Sequence, residues 1–566
     1  MKAKSLPCAL LGSFTLDQVV GMVTSRLEPA GVNCQWFVAP FNQYPQLILS
    51  EPSELLAQAP KVAFLAVAIE DLLGSLPSPW AHPVQRQTLA EERLADFFGL
   101  VRRMAERLPG TAIFVHDFLP AAPAPNAVLA AGSSASLAAI ARQANAALRG
   151  VAAEFPNVRV VCLEDVFASL ARSAIGDPRF YYIAKMRFGR AAMECLADFY
   201  CRLIRAYLGL RKKCLVLDLD NTLWGGVIGE VGPDKILLSD DGPGKAFQDM
   251  QRNILDYYET GTLLAVCSKN DEALALGAIR DHPAMILRPN HFAAMRINWQ
   301  DKASNIREIA TELNLGIDSM VFLDDSEYER AEVRRLEPTV TVVDLPKDPA
   351  GYPAFVAQLP FFDALTTTED DRRRGQMYVE DRQRRELGQQ ARSLEDFLTG
   401  LEIEVTVQKA DAALLPRLAQ LTQRTNQFNL TTRRYTDHDL ATLSQSPDWR
   451  LYCVSTRDRI GDAGIVGGAL IQLDRAQAVA RLDTLMLSCR ILGRGIETAF
   501  LAGLLLGLED TGVATIIAEY IPTDRNAVAK EFLPRHGFVQ KENFWHRSAA
   551  AARELCPKWI NLKTTS

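Results

Sequence analysis

Four short apolar runs, each closed by polar residues, leave this chain few folds to choose from between residues 211 and 350: CLVLDLD, TLLAVCSKN, SMVFLDDS and VTVVDLP. A run of four to six apolar residues reads as a strand buried on both faces, and such strands pair in parallel with helices packed above and below. The polar residues then collect at the carboxyl ends of the strands, where open α/β sheets hold their ligands. The expected central unit is a doubly wound α/β domain with its chemistry at one sheet edge.

The same rhythm runs from the start of the chain to residue 210, in CALLGS, VAFLAVAI, TAIFVHDF and VRVVCLED, and predicts a separate α/β domain over 1–210. Residues 211–350 form the central domain. Residues 351–400 include a highly charged stretch (TTTEDDRRRGQMYVEDRQRRELGQQ) that reads as an exposed connecting helix with a solvated face. A third, α+β domain over 401–566 opens with LEIEVTV and passes through RLYCVS and IVGGALIQL to a strand, a glycine turn and a buried helix. A length of 566 residues accommodates this division, at roughly 150 residues per domain.

Composition excludes several classes. Hydrophobic residues are 48% and charged residues 23%, the values of a folded globular chain. The net charge of −6 offers no global positive field for a nucleic-acid backbone. MKAKSLPCALLGSF lacks the apolar core and cleavage site of a secretory signal. The longest apolar run, Ala499 to Leu508, is about half of what a membrane span needs. A cytoplasmic protein without nucleic-acid or membrane partners is expected. Ten cysteines are scattered with no CxxC pair, which argues against zinc and against a disulfide framework.

The strongest chemical signal is Asp218-Leu219-Asp220-Asn221-Thr222, directly after CLVL. Two carboxylates at i and i+2 on extended chain can face one crevice and hold a divalent cation, and Mg²⁺ suits carboxylate and phosphate oxygens. Asp218 is the candidate nucleophile to phosphorus and Asp220 the general acid and base. Ser268 would grip a phosphoryl oxygen, Lys302 would orient phosphate and nucleophile, and Asp324 with Asp325 would complete a metal site shared with Asp218 and Asp220. Asn221, Thr222, Lys269 and Asn270 are read as substrate-binding. This order of Asp, Ser, Lys and Asp at strand ends resembles the haloacid dehalogenase (HAD) superfamily of phosphotransferases. The gaps from Asp220 to Ser268 and from Ser268 to Lys302 are too short for a cap domain, so an uncapped crevice suited to a substrate carried on a macromolecule is expected.

LDLDNTLWGGVIGE, LAVCSKN, INWQDKASNI, VFLDD and RTNQFNLTTRRY together resemble the FkbH-like family of HAD-type proteins. One departure is visible: Asp325-Ser326-Glu327-Tyr328-Glu329-Arg330 stands where that family commonly has DDNPxER. The resemblance implies loading of a glyceryl unit from 1,3-bisphosphoglycerate onto a phosphopantetheinylated acyl carrier protein in polyketide-type biosynthesis. It also singles out Cys267, whose thiol would attack the acyl phosphate, activated by Mg²⁺ and by Lys269 or Lys302. That role requires the sulfur to open onto the metal pocket. The alternatives are a plain HAD phosphatase with a structural Cys267, a non-catalytic scaffold for carrier proteins, and an acyltransferase centred on Arg490 to Gly495.

In the third domain, Arg490-Ile491-Leu492-Gly493-Arg494-Gly495 lies between an apolar strand and a helix, with Asn526 and FLPRHGF downstream. The pattern resembles the acyl-CoA-binding core of the GNAT acetyltransferases and implies that Arg490, Gly493, Gly495 and Asn526 bind coenzyme A or a carrier's phosphopantetheine arm. Asn426 and Asn429 supply hydrogen bonds, and Arg433 and Arg434 are candidates to meet an acidic carrier. In the first domain, Ser13 after CALLG is reminiscent of SGNH-type hydrolases, but Asp177 is followed three residues on by Phe180 where those enzymes need His, and His116 and Asp117 follow a different strand. A non-hydrolytic docking or stabilising domain is expected.

Overall fold

The computed structural model describes residues 4–120, 126–367, 369–488, 491–550 and 553–565. The chain divides into two compact units, Met1–Tyr207 and Leu208–Ser566. Among the described residues no helix is long and apolar enough to cross a membrane.

The first unit is built on a parallel five-stranded sheet of β1 (Lys4–Gly12), β2 (Val32–Val38), β3 (Val62–Ala66), β4 (Ala112–His116) and β5 (Val158–Val161), in the order β2-β1-β3-β4-β5. β3 and β4 are buried at every position, which is why the sequence shows unbroken apolar runs there. Ser13 follows β1 and is buried. Its hydroxyl donates to Asp71 Oδ2 at 2.8 Å and accepts from the Ala68 amide at 3.0 Å. His116 is enclosed elsewhere, its Nε2 2.7 Å from the Tyr200 hydroxyl, and Asp177 accepts the Arg179 amide to cap a helix. Ser13 thus has a carboxylate partner and no imidazole.

The second unit holds two sheets. The central one is parallel, with β6 (Cys214–Leu217), β7 (Leu263–Ser268), β8 (Phe292–Ile297), β9 (Met320–Asp324) and β10 (Thr341–Asp344) in the order β10-β9-β6-β7-β8. Strand order reverses at β6, so a crevice opens between the carboxyl ends of β6 and β9. Period-two alternation splits the side chains of these strands between two apolar layers. Leu215, Leu217, Leu264, Val266, Val321 and Leu323 face one layer. Cys214, Val216, Leu263, Ala265, Cys267, Met320 and Phe322 face the other, against Ile306 and Ile309 of the helix Lys302–Glu312. The first layer extends through Tyr352, Val356 and Phe362, so the packed central domain continues past the expected boundary at 350.

The remaining sheet has nine strands: β11 (Ile403–Lys409), β12 (Phe428–Asn429), β13 (Trp449–Arg457), β14 (Asp462–Asp474), β15 (Val479–Leu487), β16 (Thr515–Ala518), β17 (Val539–Lys541), β18 (Phe544–Ser548) and β19 (Ile560–Thr565). β11, β13, β14 and β15 form an antiparallel run. The helix Ile496–Leu508 then crosses over to β16, which lies parallel to β15. This is an α+β domain. At Gly503 an added Cβ would come within 2.5 Å of Val407, so glycine lets this apolar helix lie close on the sheet.

The charged helix Arg374–Gln390 is not the solvated connection its composition suggests. Met377 and Tyr378 are buried, Tyr378 in the second layer of the central domain. Arg384 makes a bidentate pair with Asp458, at 2.7 and 2.9 Å, with both side chains almost fully enclosed. Asp381 in turn pairs with Arg384 and with Arg494, each at 2.8 Å, so these charges of the helix are neutralised inside the unit.

Candidate active site

The crevice at the strand-order reversal collects the acidic motif. β6 ends at Leu217, and the Asp218 amide extends the ladder by donating to Leu323 O at 3.0 Å. Asp218 and Asp324 therefore leave adjacent strands side by side. One carboxylate oxygen from each of Asp218, Asp324 and Asp325 lies within 4.8 Å of the others. Lys302, in the first turn of a helix capped by Asp301, places its Nζ 2.9 Å from Asp218 Oδ1 and 2.5 Å from Asp324 Oδ2. Burial alone would lower the lysine, but the two carboxylates hold it well above the usual range. Burial and the charge of Asp218 push Asp324 up to about 7 against the pull of Lys302, and the same two causes raise Asp325.

More negative charge converges here than one ammonium neutralises, so the donor set fits a divalent cation: three carboxylates, all hard oxygen ligands. Asp220 does not join them. Its Oδ1 accepts from Trp224 Nε1 at 2.9 Å and from the Ile228 amide at 3.2 Å, and its Oδ2 accepts from Asn270 Nδ2 at 2.9 Å. Burial raises Asp220 while the Ile228 and Trp224 donors oppose that rise. Its carboxylate is thus held apart from the cluster by other partners, which corrects the expectation that it ligates the metal.

The expected substrate-binding residues are employed in shaping the site. Asn221 sits at φ +53°, its Oδ1 accepting the Gly226 amide at 2.8 Å. Thr222 is fully buried and its Oγ1 accepts the Asp325 amide at 3.2 Å, tying the two acidic loops together. Asn270 orients Asp220. Lys269 pairs with Glu329 at 2.7 Å and is the partly exposed cation of the group. Ser268 is buried at the end of β7.

Cys267 overturns an expectation. It is fully buried in the second apolar layer, and its sulfur lies 3.7 Å from the Lys302 carbonyl. Burial drives its thiol well above the ordinary range. In phase with Leu263 and Ala265, the side chain is packed in this apolar layer with no exposed surface, so the sulfur does not open onto the metal pocket as a nucleophile would need. Trp224 and Glu329 were missed by sequence reasoning. Trp224 stood within the acidic motif, and a buried indole N–H needs a partner.

In the third domain Arg490 lies outside the described residues. Gly493 and Gly495 have φ of +81° and +84° and form the expected turn before the helix Ile496–Leu508. Asn526 is fully buried, donating to Asn429 O at 3.0 Å and Ile521 O at 2.9 Å, so it is a structural residue and no ligand contact. Arg433 pairs with Asp483 and Glu519, each at 2.6 Å. Arg434 donates to Thr422 O and Asn426 Oδ1. Both arginines are engaged within their own domain.

No family model matches this chain, and no curated protein does. Among solved structures it is similar to the N-terminal part of BF1531 from Bacteroides fragilis, which contains a phosphatase domain complexed with Mg, at 28% identity and TM-score 0.59 over 64% of this chain and 95% of that one. Weaker likenesses are to the ribosomal-protein-S18-alanine N-acetyltransferase of Escherichia coli (17% identity, 26% of this chain and 95% of that one, TM-score 0.21) and the ribosomal-protein-S5-alanine acetyltransferase of Vibrio fischeri (14%, 25% and 92%, TM-score 0.21). With the parallel sheet, the acidic cluster at its strand-order reversal and the BF1531 structure in agreement, the central domain has a HAD-like fold within an α/β multidomain chain.

Proposed function

We propose that this protein is a cytoplasmic, Mg²⁺-dependent phosphatase and acyl transferase of the FkbH-like kind, which takes the three-carbon unit of 1,3-bisphosphoglycerate, removes its phosphates and delivers glyceryl to an acyl carrier protein. The observation that carries the phosphatase half is the enclosed Asp218–Lys302–Asp324 cluster beside Asp325. Asp218 attacks phosphorus while Lys302 holds its carboxylate in line. Asp220, kept apart by Trp224 and Asn270, protonates the departing oxygen and then takes a proton from the water that cleaves the aspartyl-phosphate. Asp218, Asp324 and Asp325 would hold Mg²⁺, which supplies charge neutralisation for the phosphoryl oxygens.

The buried Cys267 changes the transfer half. The carrier's own thiol is the better nucleophile: it attacks the acyl phosphate carbonyl directly, a C–S bond forms, the C–O bond to phosphate breaks with its electron pair on the leaving oxygen, and the thiol proton passes to the released phosphate. Between Asp220 and β7 lie the helices Ile228–Val231 and Gly244–Glu259 and the short turn Pro233–Lys235, so no cap domain is inserted there, which favours access for a carrier-borne arm. The enclosed thiol also favours a second reading, a plain phosphatase without transfer. Incubation with 1,3-bisphosphoglycerate, Mg²⁺ and the phosphopantetheinylated carrier, followed by intact mass of the carrier, separates the two. A glyceryl increment with both wild type and Cys267→Ala is expected. No increment with the cognate carrier leaves the plain phosphatase, and loss only in Cys267→Ala restores an enzyme thioester. Asp218→Asn is expected to lower phosphate release by about 10³-fold or more; an unaffected rate would defeat both.

A further inference from the structure

The third sheet contains a gap suited to an extended ligand. β15 and β16 pair only over Val479–Leu482 against Thr515–Ala518, while β15 continues to Leu487. Its last residues therefore keep one edge beyond β16. Such an edge, with N–H and C=O groups to satisfy, is a template for an extended chain carrying amides. The pantetheine arm of coenzyme A carries two amides, and the glycine turn and helix N-terminus after β15 would meet its phosphates.

The protein fills this gap with its own chain. Phe428 pairs with Leu487 and Asn429 with Met486. The Leu430 amide donates to Leu485 O at 3.1 Å, and Leu430 O accepts from the Ile521 amide at 2.9 Å. The opposite edge of β15 is taken by β14, with Gly467 across from Leu487 and Gly468 across from Met486. Residues 428–430 thus bridge β15 to the chain just past β16. The segment is also locked by its side chains. Asn429, fully buried, accepts at Oδ1 from the amides of Thr431 and Thr432 and from Thr484 Oγ1, while Asn526 holds its carbonyl. Phe428 packs edge-on against Phe532, ring centroids 5.3 Å apart.

The turn is engaged as well. Trp559 Nε1 donates to Arg494 O at 3.0 Å, and a Cβ at Gly495 would come within 3.0 Å of Pro557. Arg494 itself pairs with Asp381 at 2.8 Å.

We propose that the third domain is a self-filled acyltransferase-like fold, in which Asn426–Thr432 occupies the slot an acyl-CoA or pantetheine arm would take, so that the domain does not bind coenzyme A. The inference is independent of the central site and survives the failure of the phosphatase reading. Its test uses the full chain: calorimetric titration with coenzyme A and with acetyl-CoA, and hydrogen exchange of the 428–430 amides with and without each ligand. The expected result is no saturable binding up to about 1 mM, with the Leu430 amide among the slowest to exchange in the third domain. Saturable binding of either ligand, or rapid exchange of the Leu430 amide in the ligand-free protein, would overturn it.

Discussion

Asp220 and Asp218 stand two residues apart in different surroundings, and the roles proposed for them differ because their neighbours do. Asp218 meets Lys302 and the other carboxylates, whereas Asp220 meets the Trp224 indole and the Asn270 amide. A hydrogen bond to the ionised carboxylate lowers its pKa. Trp224→Phe removes one, so the limb of the pH–rate profile that reports Asp220 is expected to move to higher pH with kcat reduced about 10-fold; an unmoved limb would exclude the positioning role. Cys267→Ala tests the opposite case, a residue enclosed in an apolar layer. It is expected to cost about 1 kcal/mol of stability, read as a lower Tm, with phosphate release unchanged. The sequence made Asp218, Lys302 and Asp324 legible because charge at the end of a buried strand is conspicuous. It could not orient Cys267: β7 is apolar on both faces, so alternation carries no sign of which face adjoins the crevice.

Elements show the same division. Strands β6, β7 and β9 are visible as apolar runs because parallel strands are covered on both sides. The helix Lys302–Glu312 is announced by Asp301, whose carboxylate accepts the Ser304 amide at 2.7 Å and so fixes the turn that presents Lys302. The helix Arg374–Gln390 misled, because mixed charge ordinarily marks a wet face. Here Arg384 and Asp458 find each other away from water, and removing Arg384 leaves the buried Asp458 carboxylate with a longer contact to Arg494 at 3.8 Å and the Ile460 and Gly461 amides. Arg384→Ala is expected to cost about 3 kcal/mol, measured by denaturant unfolding; a loss under about 1 kcal/mol would place the pair in the class of solvated ion pairs.

For the whole molecule, the acidic cluster couples stability to pH and to metal. Asp324 is raised to about 7 in the folded protein, against about 3.9 for an ordinary aspartate. Between these values the folded state holds a proton that the unfolded state has released, so metal-free stability falls as pH rises through that window. A cation held by the three carboxylates offsets the resulting repulsion. Chelation is therefore expected to lower Tm more at pH 8 than at pH 5, and equal shifts at the two values would contradict a metal site at this cluster. The sequence by itself determined which segments are buried strands and which carboxylates and lysine end them, because burial pattern and charge are local properties of the chain. Only tertiary structure decided that Cys267 is enclosed, that Asp220 stands apart from Asp218, and that Asn429 and Asn526 close the third sheet. Each of those outcomes depends on which face of a strand, or which distant segment, comes to lie beside a residue.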